Sequence, residues 1–200
     1  MKVLYLSGAI VLLDQMTKML VKGFSLPLLG ISVEGMHYGE SIPILGSLLR
    51  LTYIENPGMA FGITLGAKPF FAIVSIIASL VIVVYLHRSR REPLLYRASI
   101  AMILGGAVGN LIDRVFYGVL YGQAPLFQGR VVDFFDVDFP DMNLFGYQLN
   151  RWPVFNIADA SVTIGVILLL ILSSRKSPTP SAAPSASPLR SGSSEQQGSA

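Results

Sequence analysis

Four long apolar stretches alternate with polar segments along the chain. They predict membrane-spanning helices at about residues 3–22, 69–87, 94–113 and 154–174, because about 20 apolar residues at ~1.5 Å each cross a bilayer. The first stretch follows Lys2, which also suits the charged start of a signal peptide. However, Asp14 and Lys18 interrupt it and no small-x-small cleavage site follows closely, so a retained span is expected. Gly105, Gly106, Ala107 and Gly109 lie in the third stretch, where small residues let helices pack closely.

The segments between spans read differently. Residues 48–55 contain the β-branched and aromatic residues Thr52, Tyr53 and Ile54 and predict a strand, and Asn56-Pro57-Gly58 is a turn signal. Residues 59–65 are expected to return as a second strand. Residues 115–153 form a second long polar loop, with Tyr147 and Trp152 placed as interfacial anchors. Residues 177–200 are rich in Ser, Pro, Ala and Gly and are expected to be a disordered cytoplasmic tail. The chain shows no internal repeat.

Composition supports the membrane reading. Hydrophobic residues make up 52% of the chain, charged residues 14%, and the mean hydropathy is +0.58. There is no cysteine, which excludes disulfides, thiol catalysis and cysteine metal sites. Arg88, Arg90 and Arg91 follow the second span, Arg175 and Lys176 follow the fourth, and Lys2 precedes the first. These positive residues fall on one side of a four-span chain, which the positive-inside rule makes cytoplasmic. Both termini are then inside and both long loops outside.

The acidic residues carry the candidate chemistry. Asp159 opens the fourth apolar stretch, and a carboxylate there is a functional-site hypothesis by default. Asn156 is three residues earlier, on the same helical face. The alternative is that Asn156 and Asp159 only cap the helix and meet its dipole. Arg97 to Asp113 and Asp159 to Arg175 are each sixteen steps, or ~24 Å of helix, so Asp113 and Asp159 are expected at the same outer depth. Asp14 reaches a compatible depth, and Asp133 lies among apolar neighbours in the outer loop. Asp14 and Lys18 are four apart and can pair, lowering the cost of burying both. Asn110, Asp113 and Arg114 share a helical face by their spacing, so Arg114 can pair with Asp113 and hold its charge. The only histidines are His37 and His87, so a Ser-His-Asp arrangement or a metal site has little to build on. Two carboxylates sharing a proton can instead activate water. Spacing alone leaves open which acids form that pair.

These residues resemble the bacterial lipoprotein signal peptidases, also called signal peptidase II. The resemblance rests on Asp14-Gln15-Met16-Thr17-Lys18, Asn56-Pro57-Gly58-Met59-Ala60-Phe61, Gly105-Gly106-Ala107-Val108-Gly109-Asn110-Leu111-Ile112-Asp113-Arg114, Val131-Val132-Asp133-Phe134 and Phe155-Asn156-Ile157-Ala158-Asp159. They occur in the family's order and span most of residues 1–174. The resemblance implies an α-helical membrane protein of four transmembrane helices with a small extracytoplasmic β-cradle and a short outer helix. It implies an aspartic membrane endopeptidase of the bacterial inner membrane that removes signal peptides from prolipoproteins before the diacylglyceryl-modified cysteine. Asp133 and Asp159 carry over as the catalytic pair. Asn56, Gly58, Asn110, Asp113, Arg114 and Asn156 carry over as site-lining and supporting residues, with Asp14 and Lys18 as structural support. No metal or organic cofactor and no nucleic acid is implied. The expected partners are lipid-modified prolipoproteins and membrane lipid, and a single chain suffices for catalysis.

Residues 115–130 and 135–153 run longer than the family pattern, and the tail has no counterpart in it. The additional acids Asp136, Asp138 and Asp141 are expected to be solvated loop residues, so that Asp136→Asn does little. A proton-coupled transporter is the rival class, since buried carboxylates also form proton relays. Acids near one face, and four spans without inverted repeats, weigh against it. A non-catalytic membrane scaffold is the third reading.

Overall fold

A computed structural model describes residues 2–58, 68–144 and 147–174. The predicted return strand at 59–65 and the tail at 177–200 lie outside them. Helix α1 (Leu4–Lys22) is followed by β1 (Phe24–Leu26), a single 3-10 turn at Pro27–Leu29, β2 (Ile31–Val33), β3 (Ser41–Leu45) and β4 (Leu49–Asn56). Then come α2 (Lys68–Arg88), α3 (Leu94–Ile112), a π-helical turn at Asp113–Tyr117 and the short α4 (Gly118–Leu120). The last elements described are β5 (Val131–Leu144), β6 (Tyr147–Arg151) and α5 (Ile157–Ser174).

Among the described residues, four helical segments are long and apolar enough to cross a membrane: Leu4–Lys22, Pro69–Arg91, Leu94–Leu120 and Ile157–Ser174. They carry exposed apolar side chains such as Leu12, Ile77, Leu80, Ile167 and Leu170. Helices that stay apolar around most of their circumference need a lipid or protein environment on every side.

Helix α3 is central and packs against α1, α2 and α5. Its glycines set the approach. A Cβ on Gly106 would collide with the Ala158 carbonyl oxygen of α5, and one on Gly109 would sit 2.7 Å from Asp14 Oδ2 of α1. Polar contacts between helices add direction, as Ser7 Oγ donates to the Ala101 carbonyl at 2.6 Å and Ser161 Oγ to that of Met102 at 3.0 Å. An apolar core of Val3, Leu86, Ile100, Ala101 and Leu104 fills the helix interior.

Among the described residues, the strands form two antiparallel sheets. One is the β1–β2 hairpin, and the other has the order β3-β4-β5-β6. The segment read as a polar loop at 115–153 therefore contains the two strands β5 and β6. Its apolar alternation pays off at the joint with the helices: Val132 and Phe134 pack with Val21, Tyr53 and Tyr117 into a second core. In register, Ile54 of β4 faces Asp133 of β5, and Asp138 of β5 faces Arg151 of β6. Asp133 is thereby held on a strand directly over the ends of the helices.

Candidate active site

The site forms where the N-terminus of α5, the C-terminal end of α3, α1 and strand β5 converge. Asn156 is the N-cap of α5. Its Oδ1 accepts the Asp159 backbone N–H at 2.9 Å, and the Asn156 N–H reaches back to Asp159 Oδ2 at 3.4 Å. This reciprocal pair is a capping box. A further free N–H of the first turn, that of Ala158, is taken by Asp14 Oδ1 at 3.0 Å. The capping role weighed above is thus real, and it coexists with a second set of contacts.

The Asn156 side-chain amide also donates to Asp133 Oδ1 at 2.6 Å, to Asn110 Oδ1 at 3.1 Å and to the Val132 carbonyl at 3.2 Å. The Asn110 amide donates to Asp159 Oδ1 at 2.7 Å. Two asparagines therefore connect Asp133 to Asp159 from β5 to α5. Asn156 is fully buried and Asp133 is 4% exposed, whereas Asp159 is part-exposed. The cluster is closed on the protein side and accessible at Asp159. Asn56 also hydrogen-bonds Asp133. Its own oxygen is occupied by the Gly58 N–H at 2.9 Å, in a tight turn with Gly58 at φ 93°. That conformation suits glycine, and it leaves the Asn56 amide group as the donor.

Below this cluster lies a buried ion-pair node. Lys18 is fully buried and has three acceptors: Asp14 Oδ2 and Asp113 Oδ2, both at 2.8 Å, and Asn110 Oδ1 at 2.9 Å. An ammonium has three hydrogens, so each is used. Gln15 donates to Asp113 Oδ1 at 2.9 Å and to the Gly109 carbonyl at 3.1 Å, and the Val132 N–H donates to Asp113 Oδ2 at 3.2 Å. Asn110 links the two layers by accepting from Lys18 and donating to Asp159.

This node corrects one expectation. Asp113 pairs with Lys18, not with Arg114, whose side chain instead donates to the Asn110 carbonyl at 3.4 Å. The Arg114 guanidinium remains within electrostatic reach of Asp113, Asp159 and Asp133. Spacing on α3 indicated Arg114 as the nearest cation, but a long-range contact from α1 reached Asp113. Sequence reasoning also passed over Gln15, because a residue adjacent to Asp14 does not share its helical face.

The second correction concerns Asp136. It is not a solvated loop residue but lies on β5, 6% exposed, and its Oδ1 accepts from Arg151 Nε at 2.6 Å. Asp138 pairs with the same guanidinium at 3.3 Å. The Asp141 side chain is outside what the structure describes.

The acids are thus chemically distinct. Lys18 is shared between Asp14 and Asp113, Lys22 pairs with Glu55, and Arg151 is shared between Asp136 and Asp138. Among the described residues, Asp133 and Asp159 have no ion-pair partner. Burial first, and then the charge of Asp159, push the Asp133 carboxyl up to about 7, against the opposing pull of Lys18, Asn156 and Asn56.

Fold and site together define a polytopic helical membrane protein with a buried aspartate–asparagine cluster beneath a small sheet. A family model described as "Signal peptidase (SPase) II" matches residues 6–175. The lipoprotein signal peptidase of Chlorobium phaeobacteroides (strain BS1) is 39% identical over 175 residues, covering 86% of this chain and 95% of that protein. That of Halalkalibacterium halodurans is 38% identical over 162 residues, covering 81% and 85%. A solved bacterial membrane enzyme structure superposes with a TM-score of 0.64 at 32% identity, over 88% of this chain and 94% of that one. The chain belongs to the signal peptidase II family.

Proposed function

We propose that the protein is an aspartic endopeptidase that removes the signal peptide from prolipoproteins, cutting before the diacylglyceryl-modified cysteine, with Asp133 and Asp159 as its catalytic pair. The observation that carries this reading is that these two acids share one asparagine network and, among the described residues, form no salt bridge, while Asp113 is paired with Lys18. Family membership supports the substrate class.

In the reaction, the Asp159 carboxylate takes a proton from a water molecule as its oxygen attacks the scissile carbonyl carbon. Asp133, protonated, donates to the carbonyl oxygen, giving a neutral tetrahedral gem-diol. Collapse of that intermediate re-forms the carbonyl and breaks the C–N bond. One hydroxyl proton returns to Asp133, and Asp159 delivers its proton to the leaving amine. The raised Asp133 carboxyl supports its role as the acid. Asp159 lies in the first turn of α5, where the helix dipole favours negative charge. Asn156 and Asn110 hold both side chains in place through the cycle. Arg114, within reach of both acids, favours the charge that remains on the pair.

The same reading places the sheet and the acids on the outer face of the bacterial inner membrane, with Arg88, Arg90 and Arg91 inside. The substrate's signal helix enters from the bilayer with its acyl chains still in lipid. The test is a gel-shift cleavage assay in detergent with a diacylglyceryl-modified prolipoprotein. Wild type is expected to cut before the lipidated cysteine, and Asp133→Asn and Asp159→Asn to be folded but inactive. Full cleavage by either variant refutes the pair. Substrate-dependent proton flux in liposomes without cleavage would favour the transporter reading.

A further inference from the structure

We propose that the Asp136–Arg151 ion pair is a positioning clamp that sets the register between the two aspartates, an inference that rests on the peptidase reading above. Asp136 follows Asp133 by three residues on β5. Arg151 ends β6, and only residues 152–156 separate it from α5, which carries Asp159. The pair therefore joins the two segments that deliver the catalytic carboxylates, without touching either one.

The contacts around it are dense. Arg151 Nε donates to Asp136 Oδ1 at 2.6 Å, its Nη1 lies 3.3 Å from Asp138 Oδ2, and its Nη2 donates to the Ser47 carbonyl at 3.1 Å and the Asp136 carbonyl at 3.4 Å. One planar guanidinium thus grips β5 and the β3–β4 turn from β6, a task its rigid fork suits and an ammonium does not. The second oxygen of Asp136 accepts from Thr52 Oγ1 on β4 at 2.8 Å, and Thr52 is hydrogen-bonded to Ser41 on β3 at 2.8 Å. The clamp ties β6 across the sheet to β3.

The connector to α5 continues the tie. The Trp152 N–H donates to the Val137 carbonyl at 3.0 Å, the Phe155 N–H to that of Phe135 at 3.0 Å, and the Phe135 N–H to that of Phe155 at 2.7 Å. Asn156, which bonds Asp133 and caps the Asp159 helix, is the next residue. Farther out, the β5–β6 ladder shifts register between Asp138 and Met142. The register at the site is therefore set on the near side of that shift, by Arg151 and its acids together with the backbone bonds of Trp152 and Phe155.

The experiment measures kcat, KM and the pH dependence of kcat for the full chain in detergent, using a synthetic diacylglyceryl prolipopeptide below every variant's Tm. Arg151→Lys, Arg151→Gln, Asp136→Asn, the Arg151→Gln/Asp136→Asn double variant and Thr52→Val are compared with wild type. A small displacement at a reacting centre costs up to about a hundredfold in rate, so kcat is expected to fall by about tenfold in Arg151→Lys and Asp136→Asn, with KM within about twofold. Thr52→Val should fall less, in the same direction. The double variant should be no slower than the slower single one, because both remove the same contact. The charged groups facing Asp133 are Asp159 from α5, Lys18 from α1 and Arg114 from the end of α3. A loosened clamp weakens the Asp159 contribution, so the basic limb of the kcat profile should move to lower pH. Wild-type kcat and pH profile in Arg151→Lys and Asp136→Asn, or a loss fully explained by the unfolded fraction, would overturn the clamp. Asp133→Asn and Asp159→Asn serve as controls: if they cleave, the assignment of the catalytic pair falls and the clamp with it, and if they do not while wild type does, only the clamp is at stake.

Discussion

Replacing Asp133 by Asn should remove activity and yet make the protein more tolerant of high pH. The Asp133 carboxyl is buried and raised from 3.8 to about 7. A carboxyl whose folded-state value is raised favours folding most when it is protonated in both states, and that contribution is lost as pH rises through the folded value. Above about pH 7 the folded protein must hold an ionised carboxylate in a buried site. Between about pH 5 and about pH 8 the penalty grows over two pH units, from about 5 to the folded value near 7, at 1.36 kcal/mol each, or about 2.7 kcal/mol. Asparagine has no such penalty. Its oxygen can still accept the Asn156 amide now bonded at 2.6 Å, although its own amide group would face that of Asn56. That local cost is the same at both pH values and cancels in the comparison. For a folded unit of this size, about 2–4 °C per kcal/mol applies, so the Tm difference between variant and wild type should be about 5–10 °C more favourable at about pH 8 than at about pH 5. Thermal unfolding in detergent at the two pH values measures it. An identical difference at both values, or a difference of opposite sign, would refute the argument that Asp133 is strained by ionisation.

Cleavage by wild type should decline as pH rises through about 7, where Asp133 loses the proton it donates, and a steady-state pH profile reads this directly. Lys18→Met should destabilise by about 3–5 kcal/mol, because Asp14 and Asp113 are left buried without their cation; a drop in Tm with loss of folded yield is the expected readout. Gly106→Val should cost about 1–3 kcal/mol by forcing α3 away from the Ala158 carbonyl of α5, lowering Tm and kcat together. Asn156→Ala should cost about 1 kcal/mol as a lost cap and reduce kcat far more than that stability loss accounts for, since Asn156 also holds Asp133.

Much of the architecture was legible because bilayer physics is local. A run of apolar residues long enough to span is visible without knowing its neighbours, and the four helices follow from it. The Asp14–Lys18 pair was legible for the same reason, being one helical turn apart. So was the Asn156–Asp159 capping geometry, which needs only three residues of separation. The strand read at 48–55 appears as β4, Leu49–Asn56. The predicted loop at 115–153 was a less complete reading, since β5 and β6 are stabilised by partners remote in sequence, and Asp136 is buried only because Arg151 and Thr52 meet it across the sheet.

The sequence by itself determined a membrane protein of four apolar helices, a set of acids at compatible depth, and motifs that resemble one peptidase family. It did not rank those acids, because a carboxylate's chemistry depends on which charge lies beside it in space. Only the tertiary structure decided that Lys18 of α1 pairs with Asp113 just past α3, that Arg151 holds Asp136, and that Asp133 and Asp159 meet across two asparagines with no salt bridge among the described residues. The physical reason is range. Hydropathy and capping act over a few residues of chain, whereas Coulomb energy and desolvation depend on three-dimensional neighbours, and those are set by the packing of α1, α3, α5 and β5.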